Sequence, residues 1–104
     1  MTLSYAWEKL YLAVLGMAHS PASLRERVAD AYLHHLIHIR RETLPPDLRP
    51  MLDEIIVVVS TTKVQGDEGN VVASIRTASE ESVEATARQI TALYDHVSAL
   101  HRHE

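Results

Sequence analysis

The chain has no cysteine and no phenylalanine, and its 104 residues include only three glycines and two lysines. The missing cysteine excludes disulfides, thiol nucleophiles, thiolate zinc sites and iron–sulfur clusters together. Small secreted domains commonly need disulfides, so a cysteine-free domain of this size is expected in a reducing cytoplasm. The aromatic complement is Trp7, Tyr5, Tyr11, Tyr32 and Tyr94. Leu, Ile, Val and Ala must therefore fill the interior, a texture that suits close helix packing.

Lysine scarcity matters beside a net charge of −4. Nucleic-acid binders concentrate Lys and Arg to neutralise phosphates, so neither nucleic acid nor an anionic membrane is an expected partner. The charge is uneven. Residues 1–50 carry six Lys/Arg and five Asp/Glu (+1), and residues 51–104 carry four and nine (−5). No apolar run approaches the roughly 20 residues of a membrane span. The start, Met1-Thr2-Leu3-Ser4, has no basic residue, and Glu8 and Lys9 interrupt the first apolar stretch. A signal peptide is not expected there.

What remains is ordinary globular material, 46% hydrophobic and 23% charged, at a length that suits one domain over 1–104. Leu3, Trp7, Leu10, Val14 and Met17 recur at four- and three-residue steps, which predicts a helix over 3–19. Ser23-Leu24-Arg25-Glu26 is a capping-box start for a second helix, run to about Arg41 on Leu24, Val28, Ala31, Tyr32, His35, Leu36 and Ile39. After the stiff Leu44-Pro45-Pro46 connection, Asp47 is the expected N-cap of a third helix. Pro50 then falls where no intrahelical amide is needed. Ser79 is the expected cap of a last helix reaching about His101, with Val83, Ala87, Ile90, Tyr94 and Val97 on one stripe and a frayed tail beyond it.

The middle admits two readings. Ile55-Ile56-Val57-Val58-Val59 is β-branched, and Gln65–Asn70 can be read as a loop returning Val71–Thr77 as a second strand, giving an α+β hairpin over 55–63 and 70–77. The other reading runs the third helix to Thr62 and caps a short helix at Asp67, with Val71, Val72, Ile75 and Ala78 on one face. A lone two-stranded hairpin in a helical protein is marginal. The expected fold is accordingly all-α, a small antiparallel bundle of four to five helices.

No catalytic constellation emerges. Asp30, His34 and His38 fall at four-residue steps on the second helix, a spacing that can chelate a metal. Arg27 and Arg41 share that sector and oppose a cation, so a solvated polar face is the expected reading, with no metal and no cofactor. His35 falls inside the apolar sector, where it reads either as a hydrogen-bonded core residue or as a pH-sensitive group. Gly66-Asp67-Glu68-Gly69 carries two acids that would repel a phosphate, and no P-loop lysine follows. An enzyme is not expected.

The distinctive feature is excess apolar surface. If the Leu3–Met17 stripe faces the core, Leu12 lies opposite, with Tyr5 and Gly16 beside it and Leu15 towards one edge. Leu33 and Ile37 stand away from the main face of the second helix. Apolar residues on both sides of a helix require a cover on the second side. Tyr5, Leu12, Leu15, Gly16, Leu33 and Ile37 are the candidate partner interface. They point to a helical protein–protein interaction module, either a homodimer or a small subunit or inhibitor of a larger assembly. The competing expectation is a bundle that binds a metal or small ligand through Asp30, His34, His38 or His35.

Overall fold

A computed structural model describes residues 2–63 and 67–104. It contains five helices, α1 (Ser4–His19), α2 (Leu24–His34), α3 (Arg49–Val59), α4 (Asp67–Thr77) and α5 (Glu80–His101), with short 3-10 turns at Leu36–His38 and Arg41–Thr43. The described residues contain no strand, so the all-α expectation holds and the hairpin does not. The β-branched run lies within α3, where Leu52, Ile55 and Val59 are buried at helical spacing. Val71 and Ile75 do the same in α4. Packing of these faces outweighs strand propensity. The loop reading of 64–66 falls outside the described residues.

α1 and α5 run antiparallel, since Trp7 Nε1 donates to Ser98 Oγ at 3.0 Å while Leu3 meets Glu104. α2 packs against α1, α4 and α5, and α3 closes the bundle against α4 and α5. The buried residues form one apolar cluster to which all five helices contribute, with Leu10, Val28, Leu52, Ile90, Leu93 and Val97 at its centre.

The buried side of α1 is Leu3, Ala6, Leu10, Ala13 and Met17, rotated from the expected stripe. Ala6 and Ala13 let neighbouring helices come close, and Trp7 and Val14 move to the half-buried edge. The caps at Ser23 and Ser79 are present, accepting from Glu26 N at 3.2 Å and Ser82 N at 3.0 Å.

Other helix ends differ from expectation. α2 stops at His34, well before Arg41. The chain then folds back through the two turns, which places Leu36, Ile39, Leu44 and Leu48 in the core. α3 begins at Arg49 with Leu48 as its cap and Pro50 in its first two positions; no side-chain cap bond forms, so Asp47 is not the cap. A turn closed by Leu48 N to Pro45 O at 2.9 Å replaces it. α3 also ends early, because the Ser60 and Thr61 hydroxyls take the carbonyls of Ile56 and Val58. Competition of this kind disfavours helix continuation. Asp67 opens α4 as its first helical residue.

The tail is held. The Glu104 carboxylate accepts from Leu3 N at 2.9 and 3.1 Å, occupying the free amide end of α1. That bond, joined by His101, holds the Glu104 carboxyl below its ordinary value against the opposing effect of desolvation.

Three arginines serve the fold itself. Arg25 donates to the carbonyls of Ile75 and Ala78, the latter at 2.6 Å, closing the end of α4. Arg27 donates to Met17 O at 2.8 Å and Ala22 O at 2.9 Å, closing the end of α1. Arg49 spans the carbonyls of Arg41, Glu42 and Leu44. Charged donors at exposed helix carbonyls also complement the helix dipole. Arg25→Met, which keeps the stem and removes the donors, should cost about 1.5–3 kcal/mol by urea unfolding. A loss within about 0.5 kcal/mol would show that water satisfies those carbonyls equally well.

Candidate interaction surface

On the outward side of α1, Tyr5 is 54% exposed, Leu15 43% and Tyr11 40%. Leu12 and Gly16 are half-buried, and Gly16 lines a groove against α2. No other helix presents more than one exposed large apolar side chain among the described residues; Val57 on α3 is 64% exposed but stands alone. A patch on one rigid helix is a different matter from scattered surface leucines.

The patch is pre-ordered by aromatic stacking along the α1–α5 seam. Trp7 lies between Tyr11, stacked at 5.4 Å, and His101, stacked at 5.1 Å. Tyr11 in turn meets Tyr94 at 6.4 Å with the rings tilted by 42°. At the other side of the helix, Lys9 Nζ stands 5.3 Å from the centroid of the Tyr5 ring, within reach of a cation–π attraction. The ring contacts orient Tyr11, which is held between Trp7 and Tyr94.

Gly16 has no internal explanation. A Cβ placed there would meet nothing within 4 Å, so the bundle itself does not require a glycine. In a helix interior glycine costs about 1 kcal/mol relative to alanine. The Gly16 carbonyl accepts from Ser20 N at 3.2 Å, as at an ordinary helix end.

The second helix does not extend the patch. Leu33 is half-buried against the core, because α2 is flanked by α1, α4 and α5. Ile37 belongs to the Leu36–His38 turn and lines a groove with Tyr32, Val59 and Val71. Of the six sequence candidates, Tyr5, Leu12, Leu15 and Gly16 all lie on α1, while Leu33 and Ile37 are elsewhere. Tyr11 joins the patch. Its only sequence signal was its place beside Leu15 once the core stripe is set on Ala6 and Ala13.

The histidine constellation is also taken apart. His34 ends α2 and His38 lies in the following turn, so the four-residue spacing no longer defines a shared face. Asp30 stands 4.0 Å from His34 Nε2. Among the described residues no three His, Asp or Glu side chains are arranged to hold a metal ion. Arg27 and Arg41 do not share a sector either: Arg27 caps α1, and Arg41 makes a bidentate pair with Asp53 at 2.9 Å. That pairing holds the Asp53 carboxyl below its ordinary range. No helix among the described residues is long and apolar enough to cross a membrane.

Neither family models, curated proteins nor solved structures give a match to this chain.

Proposed function

We propose that this protein is a non-catalytic helical interaction module that pairs with a second copy of itself through the outward face of α1. The observation that carries the reading is the exposure of Tyr5, Tyr11 and Leu15 together on one helix, beside a glycine that the bundle does not need. Charge favours a second copy over a charged partner. The whole chain carries −4, which opposes self-association, but α1 holds one acid, Glu8, and one lysine, Lys9. Its outer face is therefore close to neutral. A two-fold contact that repeats the same patch on both sides suits such a surface. In this reading the protein works in the cytoplasm, in keeping with its lack of cysteine. The same face would serve a small subunit or inhibitor if another chain presented a similar apolar helix.

Gly16→Ala tests this in two directions at once. The added methyl enters open space, so at low concentration, where the monomer dominates, unfolding free energy should rise by about 0.5–1 kcal/mol. The same methyl would hold a second helix away, so light scattering should show a weaker dimer. A more stable protein whose association is unchanged would remove Gly16 from the interface.

A further inference from the structure

Where α1 meets the end of α2, a groove of about 200 Å³ is lined by Gly16, His19, Arg27, Asp30, His34 and His35, among others. His35, half-buried, is among them. It is the residue at which α2 stops, with φ −133° and ψ −62°. Its amide donates to Ala31 O, the last bond of the helix, and its carbonyl accepts from His38 N at 3.2 Å. Ile39 N to Leu36 O at 3.0 Å completes the turn that follows. Leu36 and Ile39 are thereby delivered to the core, and His35 is the joint between helix and turn.

The titratable groups around this joint are mostly basic side chains. From α1, Lys9 acts on His35, and His19 lines the same groove. From α2, the His34 ring lies edge-on at a centroid distance of 6.3 Å, and from the turn His38 adds a third imidazole. Asp30 is the one acid in the groove lining, and its carboxylate is directed to His34. Arg27 is committed to the carbonyls of Met17 and Ala22. α4 and α5 contribute no charged group to the described lining.

We propose that this junction is a pH-sensitive hinge, in which a proton taken up by His35 among Lys9, His34 and His38 releases the Leu36–His38 turn from the bundle. Partial burial foremost, and then the positive neighbours, hold His35 below the ordinary histidine value. The native state therefore takes up this proton less readily than the unfolded chain. The associated stability is fully present above about pH 6.5 and is lost as pH falls from there through the lowered native value. The loss is local, because the turn is short and the His35 backbone, whose amide and carbonyl both bond at the joint, carries the imidazole there. Opening it uncovers Leu36 and Ile39, an apolar pair hidden at neutral pH.

Amide hydrogen exchange on the full chain tests the hinge, with protection factors compared at about pH 7.5 and about pH 5, the range in which histidine changes charge. Protection at His38 and Ile39 should fall about tenfold for each unit by which His35 is lowered, while Ile90 at the centre of α5 keeps its protection. His35→Gln should remove the loss, and Lys9→Met, which keeps the histidine, should reduce it. Parallel loss at Ile90 would mean general acid unfolding and overturn the hinge. So would an unchanged loss in either variant, or a His35 imidazole titrating no lower than a free histidine.

Discussion

Leu36→Ala should lower the unfolding free energy by about 2–5 kcal/mol, against about 1 kcal/mol for its neighbour in Ile37→Ala. Leu36 is 1% exposed although it lies in a single 3-10 turn, and Ile37 beside it is half-buried at a groove. A turn of three residues has little stability of its own, so packing holds it in place. Removing the Leu36 side chain opens a cavity at the meeting of α1, α2 and the turn, and close-packed helices relax into such a space only in part. Small domains have only about 5–15 kcal/mol in total. The variant should therefore unfold at markedly lower urea, with an unchanged dependence on urea if the denatured state is the same. Equal costs for the two substitutions would mean that the turn does not deliver Leu36 to the core.

The end of α2 shows where sequence reading stops. Nothing between His34 and Pro45 breaks a helix locally: there is no glycine and no proline, and Leu36 and Ile39 continue the apolar spacing. The break instead lets Leu36, Ile39, Leu44 and Leu48 all reach the core, and residues distant in sequence decide that. The same holds for Arg25 and Arg27, whose acceptors on α4 and α1 have no local signature. By contrast, Ser23 and Ser79 announced their helices, because a cap is a contact between residues three apart. The orientation of α1 was legible only in part. Leucine and tryptophan dominate a search for apolar stripes, whereas Ala6 and Ala13 define the buried side because they are small. Setting the stripe on them turns Tyr11 and Leu15 outwards. Leu33 looked surplus on α2 because a central helix, covered on several sides, does not keep one polar face.

Leu15→Asp should leave the fold intact and abolish pairing of two copies. Leu15 is 43% exposed in the single chain, so aspartate there remains hydrated and unfolding free energy should fall by only about 1 kcal/mol, the loss of helix propensity and of part of the leucine burial. Leu10, five residues earlier on the same helix and 0% exposed, is the contrasting case: Leu10→Asp should not fold. Burying leucine fully is worth roughly 1.5–3 kcal/mol, and a two-fold contact loses that contribution once from each copy. A dry contact also has to accommodate two unpaired carboxylates. Because Leu15 is only 43% exposed in the single chain, a partner can cover less than half of that value. Even the lower leucine figure, counted twice, then corresponds to about a tenfold weaker association before the carboxylates are counted. Light scattering across a concentration series should then show a dimer for the unaltered chain and a monomer for Leu15→Asp, with matching helical circular dichroism. Equal masses for the two at every concentration would separate the exposed α1 face from self-association. A monomeric unaltered chain would discard the second copy as occupant and leave the face to a different protein.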